Sequence, residues 1–221
     1  MAAPENYFGQ RGSFDDTSDY NARDFHIRQV LGQVRTATPV KIIAVHGGGV
    51  GAAPTVDVQP LINQIDGQGN KTDHGVIYGI PCTRNQGGGN AIINDPSVGD
   101  VGHIVVSDRD TSALKSNQGA QSNPGSFRTH DLADGVYHGA MLNPANPDQY
   151  VQFTTTGMKL ADKNGNVIEM KSGSIEITGN LHVSGEIIAG YGGSDAVNVQ
   201  THIHTDVTPG GGTSGPPEPG T

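Results

Sequence analysis

Residues 150–190 read YVQFTTTGMKLADKNGNVIEMKSGSIEITGNLHVSGEIIAG, and nearly every segment alternates between apolar and polar residues. Successive side chains of an extended strand point to opposite faces, so this stretch is expected to form strands with one apolar face. Ile175, Ile177, Gly179, Leu181, Val183, Gly185 and Ile187 all have odd numbers, so one face stays apolar or Gly throughout that run. Upstream, Val151 and Phe153 share one parity, whereas Met158, Leu160, Ile168 and Met170 take the other. A parity switch at each Gly or Asn-Gly turn is what short strands joined by corners produce. Glycines stand at 157, 165, 173, 179, 185 and 190, with spacings that fall from 8 to 5. With a glycine at each corner, the strands shorten toward the C-terminus. One copy of such a ribbon leaves its edges and its apolar face unpaired. Three copies wound together remove the edges and bury the Ile/Leu/Val stripe on a common axis. The expectation for 150–195 is therefore a tapering, intertwined trimeric β-helix or β-prism.

Beyond this region the chain reads Gln200-Thr201-His202-Ile203-His204-Thr205, followed by a run rich in Gly and Pro. Two histidines separated by one residue lie on the same side of a strand. Taken alone, the pair reads as two exposed polar residues. Three copies on a threefold axis instead supply six imidazoles, an octahedral set that suits iron, nickel or zinc. Six nitrogens disfavour zinc, whose structural sites take four ligands. A saturated shell has no open position, so the ion would be structural. His202 and His204 are thus the candidate metal ligands, in an apex spanning 196–221. His182 takes the even, outward parity and is expected to be solvated.

The first half has a different texture. Residues 1–25 form a polar segment. Ile27, Val30, Leu31 and Val34 have the spacing of one helix face, which predicts a short helix over 27–36 with Asn21 or Asp24 as candidate N-caps and Pro39 as its stop. Five strand-like runs follow at Val40–Val45, Thr55–Val58, Val76–Ile80, Ala91–Ile93 and Ile104–Ser107, separated by glycine-rich loops. This pattern predicts a small OB-fold barrel within 26–112. Residues 113–149 read as connecting loops. The loop His46–Gly51 lacks the GKS or GKT ending of a P-loop. The single Cys82 rules out an intrachain disulfide and reads as a small buried strand residue. Asp108-Arg109-Asp110 reads as a local ion pair or turn.

Composition narrows the function classes. Only 33% of the chain is hydrophobic and 33 of its 221 residues are Gly, too glycine-rich for one large core. The net charge is −9 and the 13 Lys and Arg are scattered, which argues against nucleic acid and against attraction to anionic lipid. No apolar run approaches the ~20 residues of a membrane-spanning helix. Met1-Ala-Ala-Pro-Glu-Asn has neither the basic start nor the apolar segment of a secretory signal. No GxSxG, no HExxH and no nucleophile paired with a base is found, so no enzymatic activity is expected.

Specific runs then carry a resemblance. Val98-Gly-Asp-Val-Gly-His-Ile-Val-Val-Ser-Asp-Arg-Asp110 and Ser126-Phe-Arg-Thr-His-Asp-Leu-Ala-Asp-Gly-Val-Tyr137 resemble the N-terminal OB-fold domain of the baseplate central spike proteins of contractile-tail phages. Gly179-Asn-Leu-His-Val-Ser-Gly-Glu-Ile187 and His202-Ile-His204 resemble the β-helical membrane-piercing spike of the same family, also called baseplate assembly protein V. The resemblance covers the chain from about residue 25 onward. It implies a homotrimer that caps the tail tube through its barrels and docks on baseplate hub proteins. It implies one iron ion per trimer, held at the tip by six histidines that map onto His202 and His204 of each chain. It implies a place in the virion's tail baseplate after assembly in the host cytoplasm. Its implied role is mechanical piercing of the bacterial outer membrane when the sheath contracts. Tail-like bacteriocins and other injection machines use similar parts. A trimeric receptor- or glycan-binding tail fibre is the alternative reading.

Overall fold

The computed structural model describes residues 12, 14–66, 69–139, 141–142 and 146–201. The chain is mainly β and divides into two compact units, Met1–Ala145 and Asn146–Thr221.

The first unit opens with helix α1, Asp19–Leu31. The Ser18 hydroxyl caps it by accepting the Asn21 N–H at 3.2 Å. The helix thus lies upstream of the expected 27–36 and stops at Gly32, well before Pro39. The capping Ser and the terminal Gly override the apolar spacing, and α1 buries none of its residues. Pro39 sits instead inside strand β1, Ala37–His46. There its carbonyl accepts the Leu61 N–H at 3.0 Å, and its missing N–H falls at the end of the ladder.

The strands that follow in this unit are β2 (Thr55–Pro60), β3 (Gln64–Ile65), β4 (Lys71–Thr72), β5 (Ile77–Pro81), β6 (Asn85–Gly87), β7 (Asn90–Ile92) and β8 (Val101–Val106). The short helix α2, Ser112–Ser116, and a 3-10 turn at Leu132–Asp134 precede β9, Gly135–His138. Five of these strands form one antiparallel sheet in the order β5-β2-β1-β8-β9. A bulge at Ile42/Ala44 in β1 and a register shift at Val56/Val58 in β2 bend the sheet. It curls until its two outer strands approach. Cys82, just after β5, bridges in parallel to Tyr137 of β9, and the Thr83 N–H donates to the Tyr137 carbonyl at 3.0 Å.

The fifth strand is a correction to the sequence reading. Ala91–Ile93 was expected to complete the barrel, but β7 there pairs only with β6 in an exposed hairpin. Gly135–His138, within the stretch read as loops, takes the place in the sheet. The physical reason is Tyr137, whose ring enters the core, whereas every residue of β7 stays exposed.

Alternation explains the core. Val40 and Ile42 of β1, Val56 and Val58 of β2, Ile80 of β5 and Ile104 of β8 are fully buried, with Tyr137 and Cys82 closing the seam. Gly102 lies under the Tyr137 ring. A Cβ there would stand 2.6 Å from two ring carbons and 2.5 Å from the His138 carbonyl oxygen.

The second unit holds an antiparallel meander of β10 (Tyr150–Phe153), β11 (Met158–Ala161), β12 (Val167–Lys171) and β13 (Ser174–Thr178), in that order across the sheet. A short hairpin follows, β14 (Ile188–Ala189) with β15 (Val197–Asn198). Gly165 and Gly173 turn the hairpin corners with φ of 88° and 83°, a region open mainly to glycine. At Gly157 a Cβ would collide with the Met170 carbonyl oxygen, so this corner too requires glycine.

Candidate functional site

The register of the meander builds the most distinctive surface of the chain. Val151 pairs with Leu160, Leu160 with Ile168, and Ile168 with Ile177. One step along, Phe153 pairs with Met158, Met158 with Met170, and Met170 with Ile175. Directly paired residues share a face, so eight apolar side chains stand in two unbroken rows across four strands. The odd parity of β10 and β13 and the even parity of β11 and β12 are what this register requires. Six of the eight are exposed, from 38% at Met170 to 80% at Phe153, and Met158 and Leu160 of the inner strand β11 are half-buried. No residue of this sheet is buried.

The opposite face is polar along its centre, where Gln152, Lys159, Glu169 and Glu176 form a row. Lys171 adds ion pairs at 2.9 Å to Glu176 and 3.4 Å to Glu169. The sheet therefore has one face suited to water and one suited to a partner. Past Gly179, Leu181 and Val183 are exposed and make no strand pairing within the described chain. His182 is exposed, in keeping with its outward parity.

His202 and His204 lie outside the described residues. Among the described residues no group of three or more His, Cys, Asp or Glu is placed to hold a metal ion. No described helix is long and apolar enough to cross a membrane.

Two charge clusters shape the first unit. Asp110 and Asp134 are its buried acids, and Arg128 joins them. The Arg128 guanidinium donates to Asp110 Oδ1 at 3.0 Å and to Asp134 at 2.7 and 2.8 Å. The Ser112 N–H and Ser126 hydroxyl complete Asp110, at 2.8 and 2.6 Å. The Thr111 N–H and hydroxyl complete Asp134, at 2.8 and 2.9 Å. Hydrogen bonds from the Ser112 and Ser126 hydroxyls and the Ser112 N–H, with the Arg128 charge, hold the Asp110 carboxyl down at about 2. The Arg128 hydrogen bond is the main cause that lowers Asp134. These acids are saturated with donors, so their work is to tie the 107–134 excursion onto the sheet. The sequence pointed to Asp110 through its neighbour Arg109, but the partner is Arg128, 18 residues on. Its place in the SFRTHD run, just before the Asp134-Gly-Val-Tyr segment, was the available signal.

In the second cluster, Arg84 donates to the Gly51 and Ala52 carbonyls at 2.6 and 3.3 Å and to Asp95 Oδ1 at 3.1 Å. Asp95 also accepts the Gly49 N–H, the largest of the effects that lower its pKa. The His46–Gly51 loop is thus held by an internal carboxylate. Cys82 is buried, and desolvation pushes its thiol up to about 11. Such a thiol is a packing residue in this pH range.

No family model matches the chain, and no curated protein matches it.

Proposed function

We propose that this chain is one third of a homotrimeric central spike of a contractile injection tail, a phage baseplate or a related machine. The observation that carries the reading is the pair of apolar rows on the β10–β13 meander. The second unit has no buried residue among those described, and in this reading other chains cover that face. Three copies around an axis bury the rows and leave the charged face outward. The reading takes β10–β13 and the segment after Gly179 as the start of an intertwined β-helix or β-prism.

The first unit is read as an OB-fold barrel that docks on hub and tail-tube proteins. Its strand order, β5-β2-β1-β8-β9 with a parallel contact between the outermost strands, supports that reading. His202 and His204 are proposed to hold one iron ion per trimer at the tip, six neutral imidazoles suiting a borderline transition ion. The ion pins three chain ends against fraying. The proposed action is mechanical penetration of a bacterial outer membrane, with no catalysis and no nucleic acid. The place of work is the virion's tail baseplate, after assembly in the host cytoplasm.

Mass in solution coupled to elemental analysis tests this. The expected result is a trimer with about one metal ion per three chains. Replacing both His202 and His204 with Ala removes the ion and leaves the trimer assembled. A monomeric wild-type protein refutes the reading.

A further inference from the structure

The β8–β9 ladder places a second pair of histidines together. Gly102 and Ile104 of β8 are buried, so His103 between them faces outward. Tyr137 of β9 is buried, so His138 faces outward too. The two are direct partners in the ladder. Tyr137 accepts the Thr83 N–H, so its polar groups turn away from β8. The alternate pair, His103 with His138, is then of the hydrogen-bonded type, with Cα atoms about 5.5 Å apart. On the other side His103 neighbours Pro39 of β1, which offers no competing side-chain donor or acceptor. Among the described residues neither imidazole has a hydrogen bond or an ion pair.

We propose that His103 and His138 form a two-imidazole site for a divalent transition ion of the Cu(II) class on the outer face of the curled sheet. Two rings rooted about 5.5 Å apart on one face can turn one nitrogen each toward a common point. Metal–nitrogen bonds are about 2 Å long, so the two nitrogens need stand only about 3 Å apart. Imidazole suits Cu, Ni and Zn, and among divalent ions of this row copper binds such sites most tightly. Calcium and magnesium are excluded by their demand for oxygen ligands. No third His, Cys, Asp or Glu joins the pair among the described residues. The ion therefore keeps open positions for water or for a donor from a docking partner. This site differs from the proposed tip in place, in stoichiometry and in having an open shell.

The test uses the full chain carrying His202→Ala and His204→Ala, so that the tip pair cannot contribute. Cu(II) is titrated by calorimetry, and the bound ion is read by electron paramagnetic resonance. The expected result is about one tight Cu(II) per chain with hyperfine structure from two imidazole nitrogens. His103→Gln or His138→Gln, each on the outer surface, weakens binding roughly a hundredfold by losing the second, intramolecular ligand. Circular dichroism verifies that both variants are folded. Unchanged affinity in either Gln variant overturns the proposal, as does a spectrum without two nitrogens. Failure of the tip reading would show as a wild-type ratio that departs from about one ion per three chains before copper is added, and would leave this result untouched.

Discussion

Replacing Ile168 with Lys puts the source of assembly to a direct test. Ile168 stands between Leu160 and Ile177 in one apolar row and two residues from Met170 in the other. Val151, Phe153, Ile168, Met170, Ile175 and Ile177 together leave exposed the equivalent of about three whole apolar side chains, worth roughly 5–9 kcal/mol per chain once other copies bury them. That sum is of the same order as the roughly 4–15 kcal/mol that association costs in lost freedom. The margin left for assembly is therefore narrow. Ile168→Lys forfeits one share of the burial and places an ammonium in the contact, at a further cost of several kcal/mol unless paired. The acids of this sheet, Glu169 and Glu176, project from the other face and offer it no partner. On the proposed trimer, the variant should sediment as a monomer at concentrations where the wild type assembles, with the near-UV signal of the first unit unchanged. Glu169→Gln on the opposite face serves as the control and should keep the wild-type mass. If Ile168→Lys retains the wild-type mass, the apolar rows are not the contact.

Other expectations concern the first unit. Tyr137→Phe removes a buried hydroxyl with no hydrogen-bond partner, so chemical denaturation should show equal or higher stability, by up to about 1 kcal/mol. Gly102→Ala forces a methyl group against the Tyr137 ring and the His138 carbonyl, and the same assay should show a loss of about 1–3 kcal/mol. Ile42→Ala empties part of a fully buried core and should cost about 2–5 kcal/mol. Asp110 is held at about 2, below its ordinary 3.8. Its contribution to stability is thus complete above the unfolded value and is lost as pH falls from there toward 2. Acid titration of Asp110→Asn should accordingly show a shallower stability loss across that window than the wild type.

The second unit was the more legible half, because a period of two is written residue by residue. Once Gly165 and Gly173 are placed at corners, the parity of Val151, Met158, Ile168 and Ile175 leaves one register that puts all of them on one face. Four strands of the first unit were legible for the same reason. The fifth was not, because Gly135–His138 carries a single inward anchor, Tyr137, and lies beyond a long excursion. Its membership depends on contacts with β8 and Cys82 that no local pattern encodes. The helix boundary was hidden for the opposite reason. The spacing of Ile27, Val30 and Leu31 is strong, but the start is set by a Ser18 side chain outside that pattern. Arg128 was missed because an ion pair across 18 residues leaves no periodic trace.

These differences in legibility follow from where each unit gets its stability. The first closes a core within one chain: Ile42, Val58, Ile80 and Ile104 meet because the sheet curls, and buried carboxylates fasten its longest loop. The second has no residue buried among those described, yet it places apolar residues in strict register across four strands. Four short strands with one uncovered apolar face are marginal in water on their own. Charged residues on the far face keep such a sheet soluble but cannot hold it together. The alternation that made this half readable is thus the same property that makes it incomplete. A pattern requiring one face to be dry is satisfied only when something beyond this sheet excludes the water, and in the proposed trimer that surface is another copy of itself.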